Sequence, residues 1–140
     1  MGKKIKWGIL GSAHIATEHV IPAMLSCQYG EVYAIASRST EKAQNIAEQF
    51  GIPECYGSYE ELLVDKEVDA IYIPLPNHLH VQWAIKSLEA DKHVLVEKPV
   101  GLSSKEAERL LQETKKYPHL KVMEAFMYRH HPQWIKVKEL

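Results

Sequence analysis

Gly8-Ile9-Leu10-Gly11-Ser12-Ala13-His14-Ile15-Ala16 joins a short apolar run, Ile5 to Leu10, to an amphipathic helical pattern. A strand that turns through glycine into a helix is the junction at which a parallel α/β fold receives a dinucleotide pyrophosphate. Two requirements meet there. The backbone must come close to the phosphates, and the N–H groups at a helix start must carry about half a positive charge. Gly11 supplies the tight turn, and Ala16 the small residue needed for close helix–strand packing. Ala13 stands where the middle glycine of G-x-G-x-x-G/A belongs. Alone, G-x-A-x-x-A also fits an ordinary βα turn, so the remainder of the chain decides.

That remainder alternates apolar β runs with helical patterns, which implies a Rossmann-type, doubly wound parallel sheet with helices on both faces. The strand candidates are Ile5–Leu10, Val32–Ser37, Ala70–Ile73, Val94–Glu97 and Lys121–Ala125, with a weaker one at Cys55–Tyr56. Ala43, Ile46, Ala47 and Phe50 recur at helical spacing, and Gly51 ends that helix. Ser58-Tyr59-Glu60-Glu61 and Ser103-Ser104-Lys105-Glu106 have the form of capping boxes. Val81, Ala84, Ile85 and Leu88 make one stripe of a helix over 78–90. Pro22 falls inside the first helical pattern and should kink or restart it. The closing stretch, His131 to Leu140, begins a further short helix whose Trp134, Ile135, Val137 and Leu140 call for a partner surface. Either the chain continues in a longer protein or this helix packs back on the domain.

With 140 residues, 46% hydrophobic and 25% charged, the chain has the composition of one soluble globular domain. Its formal net charge of -1 gives no electrostatic case for nucleic acid or an anionic membrane as partner. No apolar run is long enough for a signal sequence or a membrane span. Cys27 and Cys55 lie far apart without a C-x-x-C spacing, which argues against a disulfide framework or zinc site and makes the cytoplasm the expected compartment.

Three further segments carry chemistry. The second strand ends in Ser37-Arg38, where an acidic residue would bind the ribose 2′-hydroxyl of NAD. A guanidinium there suits a 2′-phosphate instead, so NADP is expected over NAD; the plain reading is a solvated turn arginine. Pro74-Leu75-Pro76-Asn77-His78-Leu79-His80 follows the fourth strand at its carboxyl edge. Asn77 or His78 suits a helix start and contacts to ribose or nicotinamide, while His80 either joins them or packs locally. His78 and His80 are two apart and do not face each other on a helix, so no metal is expected. Glu97-Lys98-Pro99 ends the next strand and holds an ammonium where an oxidised nicotinamide ring would lower its pKa into a useful acid–base range. The plain reading there is a Lys–Glu surface pair.

Together these segments, with Glu124-Ala125-Phe126-Met127-Tyr128-Arg129-His130-His131-Pro132, resemble the Gfo/Idh/MocA oxidoreductases, the family of glucose–fructose oxidoreductase and inositol dehydrogenase. The resemblance implies a Rossmann NAD(P)-binding domain over 1–125, with 126–140 opening the connection to a C-terminal α/β domain that these residues do not contain. It implies that Lys98 is catalytic and that the Lys98-Pro99 bond is cis. The expected cofactor contacts are Gly11, Ser12, Ala13, His14 and Ile15, then Ser37 and Arg38, then Pro74, Leu75, Asn77, His78 and His80, and finally Glu97 and Lys98. The Glu124–Arg129 stretch is most similar to the branch holding dimeric dihydrodiol dehydrogenases and NADP-dependent D-xylose dehydrogenases. The implied activity is hydride transfer between a sugar, polyol or trans-dihydrodiol and the nicotinamide, with the 140 residues inactive alone. The implied assembly is a homo-oligomer formed through the absent domain. The rival expectation is a dinucleotide-binding sensor or subunit without turnover.

Overall fold

In the computed structural model, which describes residues 2–140, the apolar runs become six strands of one all-parallel sheet. These are β1 (Ile5–Leu10), β2 (Gly30–Ala36), β3 (Glu54–Tyr56), β4 (Ala70–Ile73), β5 (His93–Val96) and β6 (Val122–Glu124), in the order β3-β2-β1-β4-β5-β6. Ser37 and Glu97 therefore lie one residue beyond their strands rather than inside them. Each was expected to close its strand, but each begins the turn that leaves it.

The α-helices are α1 (Ile21–Leu25), α2 (Thr40–Phe50), α3 (Tyr59–Val64), α4 (His80–Glu89), α5 (Ser104–Thr114) and α6 (Pro132–Lys138). Side chains alternate across the sheet and feed two cores. Leu10, Ile71, Ile73, Val94 and Val96 pack with Leu62, Ala84, Leu88 and Leu110 from α3, α4 and α5. Ile9, Val32, Ile35 and Tyr72 pack with Ala16, Ile21 and Ala47 on the opposite face. A register shift between Trp7 and Gly8 lets Val32 and Ile35, of unequal parity, share that face.

Right-handed crossovers explain the layering. Strands β1, β2 and β3 step one way and β4, β5 and β6 the other, so the two sets of helices fall on opposite faces. The direction reverses between β1 and β4, which is the topological switch point. Helices lie on both faces, as expected, but leave part of one face open. Beside the second core lies an open apolar groove of about 590 Å³, lined by Trp7, Tyr72, Leu95, Met123, Phe126 and Met127 among others.

Local signals act largely as their chemistry dictates. The helix that follows β1 widens into a π-helical turn over Ala16–Val20, with the Ile21 N–H donating to the Ala16 carbonyl, and α1 restarts with Pro22 in its first turn. The wider turn avoids the clash a proline ring would make with the carbonyl four residues back. Ser58 and Ser103 cap α3 and α5 by accepting from Glu61 N–H and Glu106 N–H, at 3.2 and 3.3 Å. The glutamates return their bonds one residue earlier than a capping box requires: Glu61 to Gly57 N–H and Glu106 to Leu102 N–H. Gly51 takes the left-handed conformation that ends α2, at φ 67°. Helix α6 does not pack back on the domain: Trp134, Ile135 and Val137 are about half exposed, and Trp134 meets Tyr128 edge-to-face.

Candidate functional site

A cleft of about 490 Å³ opens at the carboxyl ends of the strands, lined by Gly11, Ser12, Ala13, Ser37, Arg38, Ser39, Lys42, Tyr59, Pro74, Leu75 and Pro76. Gly11 sits at φ 93°, a conformation L side chains rarely adopt. A Cβ there would come within 2.9 Å of Leu75 Cδ2. Its N–H donates to the Ala36 carbonyl at 2.7 Å, which fixes the turn against the end of β2. The Ala13 carbonyl then accepts from Ala16 and Thr17 N–H, at 2.9 and 3.2 Å, and starts the helix. The result is a bare turn beneath a helix N-terminus, the arrangement that suits a pyrophosphate.

The β2 end supplies the charge. Ser37 is buried, donates its N–H to the Tyr56 carbonyl at 3.1 Å and accepts Ser39 N–H on its hydroxyl at 3.3 Å. Ser39 in turn caps α2 by accepting Lys42 N–H at 3.4 Å. These bonds set the turn that leaves the Arg38 side chain exposed at the cleft, with Lys42 in the first turn of α2 beside it. The lining includes two cations and no carboxylate. Tyr59 forms part of the wall, braced edge-to-face on Trp83 with ring centroids 4.9 Å apart. Burial raises the pKa of its hydroxyl, while the Arg38 charge and hydrogen bonding to it act the opposite way.

The loops after β4 and β5 form the other half of the site. Pro74 and Leu75 are buried, while Pro76, Asn77 and His78 are exposed. Asn77 does not cap a helix. Extended Pro76 takes the cap position of the 3₁₀ turn Asn77–Leu79 and accepts Leu79 N–H at 2.8 Å, with no side-chain cap bond. Asn77 is thus the first residue inside the turn, and its side chain remains at the surface. His80 opens α4 with 0% exposure, so its ring does not reach a bound molecule directly.

The Lys98-Pro99 bond is cis. Glu97 is buried, accepts the Tyr72 hydroxyl at 2.7 Å on one oxygen and faces Lys98 N–H at 3.3 Å with the other. Burial, and then the bond to Glu97, push the Tyr72 hydroxyl pKa well above the usual tyrosine range. Glu124 closes the same turn by accepting Val100 N–H at 2.8 Å. The Lys–Glu surface pair is not formed, because Glu97 turns inward to Tyr72. Lys98 is exposed, and among the described residues its ammonium has no hydrogen bond or ion pair. Lys92 is a useful contrast. It is 6% exposed, donates to the carbonyls of Asp65 and Val68 at 2.7 and 2.6 Å, and has a pKa lowered by burial. That lysine ties loops together, whereas Lys98 faces solvent beside the sheet edge.

Of the expected residues, Gly11, Ser12, Ala13, Ser37, Arg38, Pro74 and Leu75 meet around one cleft. His14 and Ile15 lie just inside the helix, and Asn77, His78 and Lys98 lie outside the cleft lining. Glu97 and His80 are buried supports. Ser39, Lys42, Tyr59 and Pro76 complete the wall without having been foreseen. Lys42 had a readable signal, a cation three residues after a serine cap and four after Arg38. Tyr59 had none, since it reaches the cleft from a different element.

A parallel sheet of this order, with a bare glycine turn at its switch point, defines a Rossmann dinucleotide-binding domain. The chain belongs to the Gfo/Idh/MocA family, described as an oxidoreductase family with an NAD-binding Rossmann fold, whose model matches residues 5–126. A D-xylose 1-dehydrogenase (NADP(+)) from Haloferax volcanii is 44% identical over 134 residues, 96% of this chain and 41% of that protein. A trans-1,2-dihydrobenzene-1,2-diol dehydrogenase from Xenopus tropicalis is 34% identical over 136 residues, again 96% of this chain and 41% of its own. Among solved structures, a 3-ketoreductase from Actinomadura kijaniata in complex with TDP-benzene and NADP superposes with a TM-score of 0.92. It is 41% identical and aligned over 98% of this chain and 43% of its own. The chain thus spans about two fifths of the length of these relatives. Among the described residues no cluster of His, Cys, Asp and Glu could hold a metal ion, and no helix is long and apolar enough to cross a membrane.

Proposed function

We propose that this chain is the NADP(H)-binding part of an oxidoreductase that interconverts an alcohol and a carbonyl on a sugar, polyol or trans-dihydrodiol. The observation that carries the reading is the β2 end, where Arg38 and Lys42 flank a cleft whose lining has no carboxylate. A carboxylate would repel a 2′-phosphate, whereas a guanidinium can grip one with two parallel hydrogen bonds. The NADP named with the xylose dehydrogenase and the ketoreductase supports the same choice. Bound NADP supplies the nicotinamide that takes or gives hydride.

The residues of this chain do the rest. Gly11, Ser12 and Ala13 receive the pyrophosphate, and Asn77 and His78 flank the nicotinamide half. Lys98 holds a proton beside the substrate oxygen and stabilises the charge that develops there, on a turn whose N–H groups Glu97 and Glu124 accept. The relatives are more than twice as long as the part matched here, and in this reading the substrate half of the pocket and the subunit contacts lie outside residues 1–140, which bind NADP(H) without turnover.

Arg38→Ala tests the reading. A hydrogen bond to a charged group is usually worth enough to weaken NADPH binding roughly ten- to hundredfold, with NADH nearly unchanged. Fluorescence titration of both cofactors measures it, and an equal loss for the two would remove the assignment of Arg38 to the 2′-phosphate.

A further inference from the structure

We infer that His80 is a doubly protonated, cationic tie that fixes the spacing between the loop after β4 and the Lys98-Pro99 turn, and so positions Lys98. This rests on the role of Lys98 proposed above. The ring is 0% exposed. Its Nδ1 lies 2.7 Å from the Pro99 carbonyl oxygen, and its Nε2 lies 2.7 Å from the Leu75 carbonyl oxygen. Both partners are backbone carbonyls, which can only accept.

A neutral imidazole has one N–H to give, and its second nitrogen would set a lone pair against a carbonyl lone pair. An imidazolium donates at both ends. Both separations lie within the range of a donated N–H···O bond. Buried without such partners, the charge would be expensive; between two carbonyl dipoles it is compensated.

The tie reaches both halves of the site. Pro99 follows Lys98 directly, so a shift of the Pro99 carbonyl moves the Lys98 backbone. Leu75 is the residue whose side chain closes over Gly11, 2.9 Å from where a Cβ would stand. His80 is a positioning residue in this scheme, because its ring touches neither cofactor nor substrate.

The test uses the 140-residue chain, uniformly ¹⁵N-labelled, and reads the His80 ring nitrogens through their couplings to its carbon-bound ring protons at neutral pH. Both nitrogens are expected at protonated shifts, and a bare nitrogen at either position overturns the inference without recourse to any variant. A second arm compares amide shifts in His80→Gln, whose neutral side chain cannot make both bonds. Movement at Asn77 together with Lys98 and Val100 is expected. Movement confined to the Asn77 side would show that His80 does not position Lys98. Titrating the wild-type chain with NADP⁺ keeps the two ideas apart. Absence of binding would count against the proposed function while the ring-nitrogen result still judges His80.

Discussion

In a turnover-competent enzyme carrying this domain, Lys98→Met should lower kcat by about 10²- to 10⁴-fold, the usual worth of a positioned acid–base group. Cofactor affinity should change little, because Lys98 lies outside the lining of the phosphate cleft. Methionine keeps the length and apolar stem of the side chain and removes only the ammonium. Since Glu97 spends its oxygens on the Tyr72 hydroxyl and Lys98 N–H, the substitution leaves no carboxylate newly unpaired. A structural lysine would behave differently, costing stability when removed, as Lys92 should with its two carbonyl partners. Steady-state kinetics with a separate cofactor titration make the distinction. A variant retaining more than a third of wild-type turnover would show Lys98 to be dispensable.

Gly11→Val should destabilise the fold by about 2–5 kcal/mol, combining the strain of a β-branched residue at positive φ with overpacking. Both parts are visible in the geometry: φ is 93°, and the added Cβ meets Leu75 Cδ2 at 2.9 Å. Leu75 Cδ2 is the tip of a side chain packed in the first core, so the clash adds to the backbone strain as far as that packing resists a rotamer change. Denaturant unfolding measures the loss, and NADP⁺ binding should fail even where the variant remains folded. A stable variant that binds as the wild type does would mean that the turn relaxes, and that the close approach is not needed.

Most of this fold was legible because its signals are local. The apolar runs, the serine caps of α3 and α5 and the glycine stop of α2 each act over a few residues, and each lies within a residue or two of its expected place. The phosphate turn was equally readable, since a glycine between a strand and a helix carries its own geometric requirement. What the chain concealed depends on contacts between elements. Tyr59 joins the cleft from α3, and Glu97 turns inward because Tyr72, twenty-five residues earlier, offers a hydroxyl. Asn77 does open a helical turn, as its place suggested, but the cap position falls to the extended backbone of Pro76. For His80 a cofactor contact and local packing were both open, and its burial between two carbonyls appears only when the β4 and β5 loops come together. The open groove beside β4, β5 and β6 follows from strand order, which no single segment records.

We propose that the cleft at the β1–β4 switch point receives a dinucleotide, with its 2′-phosphate on Arg38 and Lys42. The most direct measurement is amide shift mapping of the ¹⁵N-labelled chain as NADP⁺ is added. The expected result is a saturable set of changes centred on Gly11, Ser12, Ala13, Arg38, Ser39 and Lys42, with NAD⁺ moving the glycine turn but leaving Ser39 and Lys42 nearly still. Changes gathered around Met123 and Met127 in the apolar groove, or no saturable change at all, would contradict it.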